Sequence, residues 1–92
     1  MALLDVGEVD GAIAQGLRWR REGDQLVKSW KGKDFAQALA YVNEVGALAE
    51  QANHHPDIDI RWNQVTLQLS THSAGGLTQA DLDLAAQIDR LQ

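Results

Sequence analysis

Ninety-two residues, 45% hydrophobic and 23% charged, suffice for a single small globular domain (1–92) and leave no room for a second. A net charge of −5 argues against nucleic acid as a partner, and the lack of cysteine removes disulfides, thiolate metal sites and a cysteine nucleophile. The first ten residues carry no secretory signal, and no apolar run nears the roughly 20 residues that cross a bilayer, so a cytoplasmic protein without membrane contact is expected.

Asp5 and Glu8 have capping-box spacing, and Val6, Val9 and Ile13 follow at helical intervals until Gly16. A short first helix is predicted there. In LRWRRE (17–22), Leu17 and Trp19 alternate with arginines, which predicts a strand. Gly23-Asp24 supplies a hairpin turn, and QLVKSWK (25–31) returns as the second strand. From Lys33 to Asn53, Phe35, Ala38, Val42, Val45, Ala49 and Ala52 recur at steps of three and four. This spacing predicts the longest helix, with one apolar stripe. Pro56 pushes the preceding residue out of helical geometry, so the helix ends near Asn53 or His54. DIDIRW (57–62) and VTLQLSTH (65–72) both alternate, which predicts an antiparallel hairpin turning at Asn63-Gln64. In that register Trp62 faces Val65, Ile60 faces Leu67 and Ile58 faces Leu69, and every apolar residue shares one face.

A last helix starts at Thr78, with Asp81 three residues on and Leu77 and Leu82 placed as a hydrophobic staple. Its apolar side is Leu84, Ala85, Ile88 and Leu91. The order αββαββα predicts an α+β domain, a four-stranded antiparallel sheet with helices on one face. So small a domain with open sheet edges gains from self-association, so a homo-oligomer is expected.

All three histidines converge in this scheme. Extending the hairpin register places His55 opposite His72, while Glu50 and His54 can share a helical face. Taken singly, each residue has a plain reading. His72 is a polar strand end, the His54-His55 pair suits a helix C-terminus, Glu50 is solvated and Asp81 is a cap. Together they suit general acid–base catalysis, because imidazole exchanges protons near neutral pH. Three histidines can also hold zinc. Adjacent histidines diverge in an extended chain, however, and the helical His-x-x-x-His spacing is missing, so no metal is expected.

Glu50-x-x-x-His54-His55-Pro56, an aromatic at Trp62, STH (70–72) and Asp81 resemble the signature of the pterin-4a-carbinolamine dehydratases. The likeness extends through LRWRREGDQLVKSWKGKDF (17–35) and AGGLTQADLDLA (74–85), covering roughly residues 17 to 89. It implies elimination of water from a 4a-hydroxy-tetrahydropterin to give quinonoid dihydropterin. That reaction recycles a pterin cofactor after aromatic amino-acid hydroxylation and uses neither metal nor redox cofactor. By the same resemblance His54, His55 and His72 carry the proton transfers, and Asn53, Ser70, Thr71 and Ser73 line the pterin. Glu50 helps hold the site, Trp19 packs near the ring and Asp81 orients a histidine. The implied assembly is a homodimer or homotetramer, with an aromatic amino-acid hydroxylase as functional neighbour. The family often has an aromatic residue after His-His-Pro where this chain has Ile58. Some relatives lost the histidines and became assembly or binding modules, the alternative reading; this chain keeps all three.

Overall fold

The computed structural model describes residues 2–91. Its first helix, α1 (Val6–Ala14), starts at the expected box, with Asp5 accepting the Glu8 N–H at 2.8 Å and Glu8 accepting the Asp5 N–H at 3.1 Å. Strand β1 is shorter than its alternation predicts, Arg20–Glu22 rather than 17–22. Residues 18 and 19 bond the end of the last helix instead. The Arg18 N–H and the Trp19 indole N–H both reach the Asp89 carboxylate, at 2.7 and 3.0 Å, and Lys28 joins them at 2.7 Å. The turn falls at Gly23-Asp24 as expected, with Gly23 at φ 58°, and β2 (Gln25–Lys31) follows.

Helix α2 (Phe35–Ala52) begins two residues later than the pattern suggests, because the Asp34 side chain caps it by accepting the Gln37 N–H at 2.8 Å. Its buried positions are Ala38, Tyr41, Val45 and Ala49. Phe35 and Ala52, expected in the stripe, are exposed, and Val42 is only half-buried. Tyr41 takes the inner place because its ring stacks on Trp30, with centroids 4.1 Å apart and planes within 2°.

Strands β3 (Asp57–Arg61) and β4 (Gln64–Leu69) complete an antiparallel sheet of order β1-β2-β4-β3. The hairpin register differs from expectation by two residues: Ile60 pairs with Val65 and Ile58 with Leu67. The turn is Trp62-Asn63, with Trp62 at φ 56°. A two-residue shift keeps every side chain on its face, so alternation alone cannot separate the two registers. The Asn63 amide donates to the Gly32 carbonyl at 2.7 Å while the Gly32 N–H returns to the Asn63 carbonyl at 2.8 Å, which ties the turn to the end of β2.

Leu26, Val65, Leu67 and Leu69 face α2 and α3 (Gln79–Asp89), whose Leu84, Ala85 and Ile88 are fully buried. The fold is thus α+β, in the expected order of elements.

The core makes one pH prediction. Among the described residues nothing hydrogen-bonds the buried Tyr41 hydroxyl. Burial, with the negative charge of Asp89 second, pushes its phenol from 10.0 up to about 12. The unfolded chain ionises first as pH rises, so this contribution to stability is whole below pH 10.0 and is lost as pH climbs through about 12. Tyr41 is the only tyrosine, so phenolate absorbance reports it alone. The expected midpoint lies well above that of free tyrosine; an ordinary midpoint in folded protein would contradict this packing.

Candidate active site

The site forms where three chain ends meet: the C-terminus of α2, the segment after β4 and the N-terminus of α3. Helix α2 stops at Asn53, which takes the left-handed conformation (φ 50°, ψ 43°) that asparagine tolerates better than most residues. The His54 N–H then bonds back to the Ala49 carbonyl at 3.1 Å. This reversal separates the neighbouring histidines. His54 turns inward, with Nε2 2.5 Å from Asp81 Oδ1, while His55 stays exposed, with Nε2 2.5 Å from Glu50 Oε2. Glu50 therefore partners His55 rather than sharing a helix face with His54.

Strand β4 ends at Leu69, so Ser70, Thr71 and His72 lie beyond the paired strand. The opposition of His55 and His72 expected from strand pairing does not form. Instead Thr71 bridges to Gly76, its N–H meeting the Gly76 carbonyl at 2.9 Å, and His72 opens a single 3-10 turn, His72–Ala74. Gly75 closes that turn at φ 78°, a conformation open to glycine. The loop returns His72 to the same end of the sheet by another route.

Asn53, His54, His55, Ser70, Thr71, His72 and Ser73 together line one cleft of about 290 Å³. Seven of the ten residues expected at the site thus share one concavity. Of the other three, Glu50 touches it only through His55. Trp19 lies apart, buried in the core with its indole on Asp89 and on the Ala85 carbonyl at 3.3 Å.

Asp81 stands behind the cleft, wholly buried. Its Oδ2 accepts the Thr78 N–H at 2.9 Å, which closes the capping box of α3, and the Thr71 hydroxyl at 2.8 Å. Its Oδ1 is left for His54. Cap and site residue are one carboxylate with its two oxygens divided between the tasks. A carboxylate acceptor places the His54 proton on Nε2 and leaves Nδ1 as the free ring nitrogen. Sequence reasoning treats Thr78 only as a cap, yet its hydroxyl lies 2.9 Å from that of Thr71. The flanking Leu77, itself buried, was the available sign that this cap sits inside the protein.

Among the described residues no group of three or more His, Asp or Glu side chains is arranged to hold a metal ion. Among the described residues no helix is long and apolar enough to cross a membrane.

The sequence profile of the family described as pterin 4 alpha carbinolamine dehydratase matches residues 2–91. A relative from Roseiflexus castenholzii is 51% identical over 90 residues, covering 98% of this chain and 97% of its own. One from Nocardia farcinica is 56% identical over 86 residues, covering 89% and 90%. Both bear the name pterin-4-alpha-carbinolamine dehydratase provisionally. A crystal structure of a transcriptional coactivator/pterin dehydratase from Brucella melitensis superposes with a TM-score of 0.89 at 28% identity, covering 96% of each chain. A pterin dehydratase-like RuBisCO assembly factor of the alpha-carboxysome superposes with a TM-score of 0.65 at 28% identity, over 77% of this chain and 84% of that one. A match along nearly the whole chain, in both sequence and fold, makes this protein a member of the pterin-4-alpha-carbinolamine dehydratase family.

Proposed function

We propose that the protein is a working dehydratase that eliminates water from a 4a-hydroxy-tetrahydropterin. The observation that carries this reading is the cleft itself, where three imidazoles and the hydroxyl residues Ser70 and Ser73 line about 290 Å³. In the reaction the N5–H proton leaves to a base, the N5 electron pair forms the C4a–N5 double bond, and the C4a–O bond breaks. The hydroxyl departs as water after taking a proton from an acid. No electrons are exchanged, so proton donors and acceptors at fixed positions are sufficient.

The partners of the histidines distinguish their roles. His54, with its Nε2 proton held by Asp81, presents Nδ1 as a fixed acceptor. His72 is exposed, and no described residue hydrogen-bonds its ring, so both nitrogens are open to substrate and solvent. This reading makes His54 the base at N5 and His72 the acid at the departing hydroxyl. His55, tied to exposed Glu50, flanks the ring and tunes its binding. Activity is expected to be equal before and after treatment with a chelator. Activity that vanished with chelator and returned with zinc would overturn the acid–base reading.

The same proposal includes a homodimer or homotetramer. Edge strand β3 leaves Ile58 38% exposed, and α2 exposes Phe35 and Leu39 at 44% and 40%, apolar area that a second copy would cover. Light scattering at micromolar concentration should give a mass at least twice 10.1 kDa; a monomer would contradict it. Substrate would come from a reaction that hydroxylates a tetrahydropterin at C4a, as an aromatic amino-acid hydroxylase does, in the same cytoplasmic compartment. Fractionation of cells would check that placement.

A further inference from the structure

Resting on the dehydratase reading of this cleft, we infer that the Thr71 side chain is a positioning residue rather than a pterin ligand. Its hydroxyl ties the His72 loop to the carboxylate that holds His54.

Thr71 is 5% exposed although it lines the cleft, and its hydroxyl bonds to the buried Asp81 carboxylate. The hydroxyl has a single proton, and donor counting fixes where that proton goes. Thr71 Oγ1 donates to Asp81 Oδ2 at 2.8 Å. The Thr78 hydroxyl lies 2.9 Å from Thr71 Oγ1. The Thr78 hydroxyl in turn accepts the Asp81 N–H within the capping box. Thr71, Asp81 and Thr78 thus form one buried hydrogen-bonded cluster, and the Thr71 hydroxyl proton, given to Asp81, is not left over for a substrate.

This cluster joins the two histidines assigned to proton transfer. Asp81 Oδ1 meets His54 from the end of α2, and Asp81 Oδ2 meets Thr71, whose carbonyl accepts the N–H groups of Ala74 and Gly75 across the His72 turn. One buried carboxylate thus sets His54 and the His72 loop against each other. A methyl group in place of the Thr71 hydroxyl leaves Asp81 Oδ2 with one donor fewer and frees the carboxylate to swing, which loosens the hold on His54 Nε2.

The test compares Thr71→Val, which matches the shape of threonine without its hydroxyl, with Thr71→Ser, which keeps the hydroxyl. Two readouts are taken on each folded protein. In long-range proton–nitrogen NMR, wild type and Thr71→Ser should show His54 as a single Nε2–H tautomer, and Thr71→Val should show a mixture. In the dehydration assay Thr71→Val should lose about tenfold in kcat with a smaller change in KM, and Thr71→Ser should stay within about twofold. An unaltered His54 tautomer in Thr71→Val overturns the inference, as does a loss that serine fails to restore. Wild type without dehydratase activity would defeat the functional reading instead, and the tautomer comparison would still decide the role of Thr71.

Discussion

His72→Ala should lower the dehydration rate by about 10²-fold or more while the thermal midpoint stays that of wild type, because a positioned proton donor contributes about 10²–10⁴-fold. The two parts of this result follow from different features. His72 is exposed at the head of a 3-10 turn and hydrogen-bonds no described residue, so its removal exposes no buried group and opens no cavity. It also lines the cleft directly, so an acid would be missing at the departing hydroxyl. His54→Ala should slow the reaction at least as much, but with a lower midpoint. Its removal leaves the fully buried Asp81 carboxylate without its Oδ1 partner. Turnover and thermal unfolding measured on the same preparations check both variants. Full activity in His72→Ala would remove that residue from the chemistry.

Asp81→Asn is expected to cost both stability and rate. Asparagine fills the same volume but has lost the charge, and its amide nitrogen cannot accept. One of the three donors now meeting Asp81, from His54, Thr71 and Thr78, then faces another donor. A loss of about 1–3 kcal/mol in stability is the scale for such a buried mismatch. The rate should fall about 10²-fold, because the His54 tautomer is no longer enforced. Asp81→Gln would keep a capping partner by sequence logic alone. Asp81 is 0% exposed, however, so the added methylene must displace its neighbours, and overpacking of this kind costs about 1–3 kcal/mol. Denaturant unfolding and turnover of Asp81→Asn test the account together. Wild-type turnover with lowered stability would leave Asp81 a structural cap alone.

Much of this arrangement is legible in the sequence because it is set by local rules. The boxes at Asp5–Glu8 and Thr78–Asp81 form as spaced, and Pro56 ends α2 where the steric argument puts it. What remained hidden depends on contacts between distant segments. Trp19 reads as a strand residue until Asp89, seventy positions on, provides an acceptor for its indole. The hairpin register differs from the expected one by two residues, a shift that alternation does not encode. The convergence of His54, His55 and His72 was legible for a partly mistaken reason. The shifted register and the early end of β4 remove the direct opposition, and a glycine-closed turn brings His72 back to the same place. The division of one carboxylate between a helix cap and a histidine had no sequence signal, because spacing shows which groups can meet but not which oxygen each will take.

The most direct test follows the decay of a freshly generated 4a-hydroxy-tetrahydropterin with and without the purified wild-type protein. The account predicts that catalytic amounts of protein accelerate formation of the quinonoid dihydropterin well beyond the spontaneous rate, with repeated turnovers per chain. Decay at the uncatalysed rate, from folded protein with its three histidines intact, would contradict it and leave the fold serving as a binding or assembly module.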